Sequence, residues 1–213
     1  NGPHFISIDN VNKYLFVTNI QSGWVGRYSS TSNEFIDKIM VGNMPALMVL
    51  NENEQKLYVS KMMTMSTMEQ MSSSITVIDY SHSIEMKLEN QIELGSPSPH
   101  AIAINKKMNE IYVATYEGNW LFKINMDLNS IIDEKPLEPF TLDKSVKNTR
   151  LKPIQCVYMD DNLLFISCEG GDWGSGSSSE AIAGQVQMWN TESMSIVDTL
   201  QFSVKNRPWH IIN

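Results

Sequence analysis

Two segments of the chain repeat one pattern, Gly2-Pro3-His4-Phe5-Ile6-Ser7-Ile8 near the start and Ser98-Pro99-His100-Ala101-Ile102-Ala103-Ile104 further along. Each segment is followed by a polar turn and by a second run rich in β-branched and aromatic residues, at 14–19 and 111–115. Weaker copies begin at Pro45 and Pro153, and a truncated copy begins at Pro208. The prolines that open the five copies are therefore 42, 54, 54 and 55 residues apart.

A strand-rich repeat of this length predicts an all-β fold, a β-propeller of four-stranded antiparallel blades. In the first repeat we expect strands at 3–8, 14–19, 24–29 and 34–40, because short apolar runs alternate there with polar turn residues. Strands that are apolar on both faces suit stacked blades. We predict a single array with blades at about 1–42, 43–95, 96–150 and 151–205, and the first strand of a fifth blade at 206–213.

The repeats resemble the YVTN family of β-propeller proteins. The shared pattern is carried by Pro3-His4, Phe16-Val17-Thr18-Asn19, Thr76-Val77-Ile78-Asp79, Val41-Gly42 and Leu94-Gly95. The resemblance implies a seven-bladed propeller that is exported to the periplasm or the cell surface. Related propellers include the haem-binding domain of some nitrite reductases and the copper-binding domain of nitrous oxide reductase. Compared with a complete propeller of this family, we expect this chain to be a fragment.

The composition argues against some classes of binding partner. The net charge is −8, and acidic residues are scattered without a Lys/Arg cluster. Such a chain repels nucleic acid and anionic membrane surfaces. Its apolar runs are shorter than the roughly 18 residues that a membrane span needs. A protein partner, or the missing blades, is therefore the expected contact.

Histidines next to the repeated prolines are candidate ligand-binding residues. His4 and His100 occupy the same repeat position, and Trp209 and His210 follow Pro208. One interpretation is a ring of ligands for haem or copper around a central channel. The interpretation that we favour makes Pro-His a packing and hydrogen-bonding device, because the other two blades carry Ala46 and Ile154 at that position.

The second repeat contains a methionine-rich insertion between its second and third predicted strands. Five of the ten residues from 62 to 71 are methionines: Met62, Met63, Met65, Met68 and Met71. Thioether ligands suit Cu(I), so a copper site is one hypothesis. Methionine also fills irregular apolar gaps and adaptable contact surfaces, and we favour this second interpretation.

The corresponding connection of the fourth repeat, 169–180, is rich in glycine and serine and contains Trp173. One interpretation makes Trp173 a recognition aromatic, and the one that we favour is a mobile surface loop. Both insertions are expected on the same rim of the propeller, which makes that rim the candidate binding region.

Two cysteines lie on neighbouring predicted strands. If Met159 faces Phe165, then Cys156 faces Cys168 directly and a disulfide can form. If Met159 faces Leu163 instead, the two cysteines are diagonal neighbours and stay reduced. Two buried thiols are the alternative that we favour.

No recognisable nucleophile setting or catalytic constellation occurs in the sequence. We therefore predict a non-enzymatic binding or scaffold protein, with no cofactor. It would engage a protein, a surface component or a small ligand through the rim that carries the insertions. The alternative is a redox protein that holds haem or copper at the central channel.

Overall fold

The computed structural model describes residues 2–42, 44–62, 72–139, 142–148, 150–159, 161–171, 183–201 and 208–211. Every regular element among these residues is a β-strand, which confirms the all-β prediction. The strands form four separate antiparallel sheets of four strands, each paired in chain order. We call these sheets blades 1 to 4. No helix long and apolar enough to cross a membrane occurs in the described ranges.

The four blades have similar strand lengths. Blade 1 contains β1 (Pro3–Asp9), β2 (Tyr14–Asn19), β3 (Trp24–Ser29) and β4 (Phe35–Met40). Blade 2 contains β5 (Pro45–Asn51), β6 (Lys56–Lys61), β7 (Ser74–Asp79) and β8 (Lys87–Glu93). Blade 3 contains β9 (Pro99–Asn105), β10 (Glu110–Thr115), β11 (Trp120–Asn125) and β12 (Ser130–Pro136). Blade 4 contains β13 (Pro153–Met159), β14 (Leu163–Cys168), β15 (Gln185–Asn190) and β16 (Ser195–Gln201).

The residue before the second strand lies in the left-handed region in every blade: Lys13, Gln55, Asn109 and Asn162, with φ between 54° and 62°. Asparagine tolerates this region better than most residues. Blade 4 differs in one respect, because the preceding Asp161 is also left-handed and the connection is one residue shorter. In all four blades the last residue of the first strand pairs with the first residue of the second, so the hairpins share one register.

The chain divides into two compact units, Asn1–Leu94 with blades 1 and 2 and Gly95–Asn213 with blades 3 and 4. In the first unit, Phe16 and Val25 of blade 1 pack in one buried cluster with Met48, Leu57 and Val59 of blade 2. One apolar face of each of these blades is thus buried against its neighbour in the unit.

In the second unit, Tyr112 and Leu121 of blade 3 share a buried cluster with Cys156, Leu164 and Ile166 of blade 4. The rings of Tyr112 and Tyr158 also stack, with centroids 5.9 Å apart and planes inclined by 7°. The same two-blade packing therefore holds each unit together.

A buried arginine ties the two blades of the first unit together. Arg27 in β3 is fully buried, and its Nε donates to Asp37 Oδ1 at 2.8 Å. The guanidinium also donates to three backbone carbonyls in the β7–β8 turn of blade 2, those of Tyr80 (3.2 Å), His82 (2.8 Å) and Ser83 (3.3 Å). One side chain of blade 1 thus fixes a turn of blade 2.

The second unit has a lysine at the equivalent place. Lys123 in β11 lies 2.9 Å from Glu110 and donates to the carbonyl oxygen of Thr191 at 3.2 Å. Thr191 follows β15 as Tyr80 follows β7. The cation on the third strand therefore reaches the same turn of the next blade in both units.

The strand register decides between the two predicted arrangements of the cysteines. Met159 pairs with Leu163, Cys156 with Ile166, and Pro153 with Cys168. Both cysteines are free and buried, so the disulfide alternative is not formed in this structure. Burial raises the pKa of both thiols, which keeps them protonated and poorly nucleophilic.

We predict that Arg27→Met destabilises the first unit by about 3–5 kcal/mol, because Asp37 Oδ1 and three carbonyls lose their donor, and the Asp37 carboxylate keeps the bond from the Met86 amide but loses its cation. The measurement is denaturant unfolding followed by hydrogen exchange in peptides from residues 1–94. The control is Lys87→Met, since the exposed Lys87 ammonium lies 3.7 Å from Glu85 and contributes about 0.5 kcal/mol or less. Equal effects of the two substitutions would contradict the assigned role of Arg27.

We predict that neither cysteine reacts with iodoacetamide in the folded protein at mildly alkaline pH, because both are buried and their pKa values are raised. Both thiols should react in concentrated guanidinium chloride without prior reduction. The measurement is the mass of the alkylated chain. A denatured chain that takes up label only after reduction would show a disulfide instead.

Candidate functional site

The first strand of a blade is distorted next to its proline. In β1, Pro3 pairs with Asn19 and Phe5 with Thr18, so His4 is left out of the pairing as a bulge. The register shifts at His100 in β9 and at Ile154 in β13 in the same way. A bulge redirects the backbone groups of the extra residue, which are then available to another partner.

The residue before each of these prolines has a positive φ. The values are 86° at Gly2, 43° at Met44, 59° at Ser98 and 53° at Lys152. Each carbonyl accepts a hydrogen bond from the residue that follows the second strand of its blade, from Ile20, Met62, Tyr116 and Glu169 respectively, at 2.7–3.1 Å. This bond compensates for part of the strain of a left-handed residue. Each proline therefore marks a position at which the same backbone hydrogen bond links the start of the first strand to the end of the second.

The carbonyl of the residue after the proline is a second repeated acceptor. Thr18 Oγ1 of blade 1 donates to the Ala46 carbonyl of blade 2 at 2.8 Å. His100 Nδ1 of blade 3 lies 2.7 Å from the Ile154 carbonyl oxygen of blade 4. Because a carbonyl only accepts, Nδ1 of His100 carries the proton. We call this contact the post-proline hydrogen bond.

The two Pro-His histidines have different surroundings. His100 is buried and makes the post-proline hydrogen bond, whereas His4 is exposed. Blade 3 has Ala114 where blade 1 has Thr18, so the histidine supplies the donor that the strand lacks. The hypothesis that Pro-His is a hydrogen-bonding device gains a specific contact at His100.

Residues 208–211 lie against blade 4, although no described residue there belongs to a strand. Ser167 Oγ donates to the Trp209 carbonyl at 3.0 Å, which repeats the bond from Thr18 to Ala46. Gln155 Oε1 accepts from the Ile211 amide at 2.8 Å and lies 3.2 Å from His210 Nδ1. The side chains of Trp209 and His210 are exposed. The bond from Ser167 is thus equivalent to the one by which the second strand of blade 1 reaches the first strand of blade 2.

Most of the predicted loop ligands lie outside the described residues. These are Met63, Met65, Met68, Met71 and Trp173. Met62 is described: it is half-buried, and its amide donates to the Met44 carbonyl at 2.9 Å. Within the described part of the chain, no group of three His, Cys, Asp or Glu side chains is arranged to hold a metal ion.

A buried polar cluster at the inner connections of blades 3 and 4 was missed by the sequence analysis. The Tyr116 hydroxyl donates to the Glu169 carboxylate, and the Tyr116 ring lies 6.0 Å from the His100 ring. Lys152 Nζ lies 5.8 Å from the Tyr116 ring centroid, in a cation–π arrangement. Glu169 is buried and stands three residues before the segment 172–182, which contains Trp173.

The cluster continues along blade 3 through Glu117. Ser98 Oγ donates to Glu117 Oε2 at 3.2 Å, and Lys147 Nζ pairs with Glu117 Oε1 at 2.7 Å. We call the set Ser98, His100, Tyr116, Glu117, Lys147, Lys152 and Glu169 the rim cluster. Its two carboxylates are held by partners from the chain itself, so the cluster is a rigid support for the adjoining connection. The sequence carries one signal for this cluster. A glutamate directly precedes a glycine in both Tyr116-Glu117-Gly118 and Glu169-Gly170.

We predict that His100→Ala destabilises the second unit by about 1–3 kcal/mol, because the Ile154 carbonyl loses a buried donor. The matched variant His4→Ala should change stability by about 0.5 kcal/mol or less, since His4 is exposed. Denaturant unfolding of the two variants measures the difference. An equal loss in both, or a loss that depends on added copper or haem, would support the shared-ligand hypothesis instead.

The comparisons with known proteins identify the fold. No protein-family model and no curated protein matches the chain. The hydrazine synthase of Kuenenia stuttgartiensis is structurally similar, with a TM-score of 0.72 and 17% identity over 94% of this chain and 49% of that chain. The dihydro-heme d1 dehydrogenase NirN in complex with DHE gives a TM-score of 0.65 at 12% identity, over 95% of this chain and 38% of that chain.

The Pan2 WD40 domain of Neurospora crassa is also similar, with a TM-score of 0.62 and 12% identity over 94% of this chain and 50% of that chain. The chain thus spans half or less of the length of these proteins. At such low identity the similarity shows the fold alone. Together with the four antiparallel four-stranded sheets, it shows that the chain is a β-propeller-type repeat protein with four blades.

Proposed function

We propose that this chain is a non-enzymatic binding or scaffold module of the YVTN type, exported, with its partner bound at the rim that carries the two insertions. The partner is a protein, a surface component or a small ligand. The observation that carries the proposal is the rim cluster. It holds the start of the Gly/Ser-rich connection on a rigid, buried base, the arrangement by which scaffolds commonly present binding loops.

The electrostatics of the rim cluster support binding rather than catalysis. Glu117 is paired with Lys147, and Glu169 accepts from Tyr116. A general acid or base must exchange a proton with a substrate and therefore needs an accessible position near it. These two carboxylates are buried and engaged with their own chain. They suit a structural role beneath a binding loop.

The YVTN resemblance supports two finer parts of the proposal. It supports export to the periplasm or cell surface, which is the usual location of that family. It also supports a propeller larger than four blades. The similar structures are about twice as long as this chain or longer, which agrees with a larger array.

The alternative function is redox chemistry with haem or copper. Its support is the similarity to hydrazine synthase and to a dihydro-heme d1 dehydrogenase, together with the methionines of 62–71. Thioethers suit Cu(I).

The first test is an absorption spectrum and metal analysis of protein purified from the cells that naturally produce it. The binding role predicts no Soret band and less than stoichiometric copper. A Soret band or stoichiometric copper would overturn it in favour of the redox alternative.

The second test locates the partner. We expect partner capture by chemical cross-linking to be lost in Trp173→Ala or in a variant with serine at Met63, Met65 and Met68. The control variant replaces the exposed turn residues Thr31 and Ser32 of blade 1 by alanine. Capture of one identified partner by the unmodified chain and the control, but not by a loop variant, supports the rim. Capture that is equal in all variants contradicts it.

A further inference from the structure

Blade 2 buries a lysine at the end of its second strand. Lys61 ends β6, pairs with Pro45 and is only 5% exposed. Among the described residues, only the Glu93 carboxylate acts on the Lys61 ammonium, through its charge and without a hydrogen bond. Desolvation lowers the pKa of Lys61, and the charge of Glu93 offsets this lowering only in part. A buried ammonium in this position costs stability unless an acceptor pairs with it.

A buried hydroxyl group lies on the same face of blade 2. Val59 pairs with Thr76, and Val59 belongs to the buried cluster that blade 2 shares with blade 1. Residues two apart on a strand lie on one face, so Lys61 and Ser74 lie on this face as well. Thr76 is fully buried, and its Oγ1 has no hydrogen-bond partner within the described part of the chain. We call Lys61, Ser74 and Thr76 the lysine site.

The equivalent place in the second unit is closed by side chains of the chain itself. Gln187 is the third residue of β15, as Thr76 is the third residue of β7. Gln187 Nε2 donates to the Leu137 carbonyl of blade 3 at 2.9 Å, and Gln187 Oε1 accepts from Trp189 Nε1 at 2.8 Å. Both ends of this amide are therefore hydrogen-bonded, whereas the equivalent hydroxyl of Thr76 is not.

Side-chain sizes indicate that the lysine site has room for a small ligand. Compared with the second unit, three equivalent positions are smaller and one is larger: Ser74 for Gln185, Thr76 for Gln187 and Val41 for Leu137, against Lys61 for Cys168. The balance is a loss of roughly three non-hydrogen atoms, in a place where protein interiors are close-packed. A formate ion is about this size.

We propose that the lysine site binds a small monocarboxylate, whose oxygens accept from Lys61 Nζ and Thr76 Oγ1. These two residues are diagonal neighbours on adjacent strands, a separation that a long side chain reaches across. An ammonium–carboxylate hydrogen bond is stronger than a bond between neutral groups. Glu93 pairs with Ser74, and its charge opposes a dianion such as phosphate more than a monoanion. The inference rests on the proposed binding role and names the class of its small ligand.

The experiment measures formate binding from the width of the formate proton signal in the NMR spectrum. Urea unfolding is followed in sodium formate and in sodium chloride of equal ionic strength. We expect saturable binding, and a rise of the unfolding midpoint with formate alone, because a ligand that binds the folded state stabilises it.

Three variants locate the binding. Lys61→Met should weaken formate binding at least about tenfold, because the charge-assisted bond is lost. Thr76→Val should weaken it about two- to tenfold, the value of a neutral hydrogen bond. Thr76→Gln reproduces the Gln187 arrangement and should abolish binding by filling the site. The control Lys87→Met, at a side chain that is 51% exposed, should bind formate as the unmodified chain does.

Stability without formate provides a second readout. Lys61→Met removes a buried charge, so this variant should unfold at a higher urea concentration than the unmodified chain. Thr76→Val removes an unsatisfied hydroxyl and should act in the same direction. A lysine with a purely structural role would give the opposite result, because its loss would lower the unfolding midpoint.

Absence of formate binding to the unmodified chain, or equal binding by the Lys61→Met chain, would overturn the proposal. Phosphate that binds more tightly than formate would overturn the choice of a monocarboxylate. A Lys61→Met chain less stable than the unmodified chain without formate would contradict the assigned role of Lys61. Partner capture at the rim is measured separately with Trp173→Ala, so failure of the lysine site and failure of the proposed function are distinguishable.

Discussion

Every blade of this protein is apolar on both faces, and this constraint determines how the chain is built. A single four-stranded sheet leaves both of its apolar faces exposed to water. Each blade therefore depends on a neighbour to bury them. Phe16 and Met48 meet across the first pair of blades, and Tyr112 and Cys156 belong to one cluster across the second pair. Stability therefore arises between blades rather than within one blade.

Apolar packing alone does not fix how two blades are aligned, and buried polar contacts supply that specificity. Tyr80 Oη of blade 2 donates to Asp9 Oδ2 of blade 1 at 2.7 Å. Burial alone would raise the pKa of Asp9, but hydrogen bonds from Asn12, Tyr80 and Val11 outweigh it and lower the pKa. This contribution to stability is present at neutral pH and is lost as the pH falls through the lowered pKa. Arg27 adds a second polar link between blades 1 and 2, because its guanidinium donates to three carbonyls of blade 2 at once.

The fold could be predicted from the sequence, because its signal is repeated along the whole chain. Pro3, Pro45, Pro99 and Pro153 each begin a strand in the structure. The structure also explains why the proline pattern repeats. The carbonyl before the proline and the carbonyl after it are the two hydrogen-bond acceptors that recur. A position used in every repeat is informative even where its residue type changes.

The site was harder to predict, because its contacts join residues that are distant in sequence and occur once. Blade 3 has Ala114 where blade 1 has the hydroxyl donor Thr18, and His100 supplies the donor instead. This replacement occurs in one repeat, so the repeat pattern does not predict it. The pairing of the cysteines depended on the turn at 160–162, where a shift of two residues changes the partner. Glu169 and Tyr116 are 53 residues apart and meet only because blades 3 and 4 pack together.

The third strand shows that the polar link between blades is not part of every repeat. Arg27 and Lys123 each project from this strand into the following blade of their unit. The equivalent residue of blade 4 is Met188, which pairs with Phe165 and Asp198 as Arg27 pairs with Phe16 and Asp37. Breaking the internal contact of Arg27 leaves buried polar groups unpaired, which costs several kcal/mol. Blade 4 carries no cation at this position, and Asp198 stands there where Asp37 is paired with Arg27. The cationic link is therefore a property of the first blade of each unit and not of every repeat.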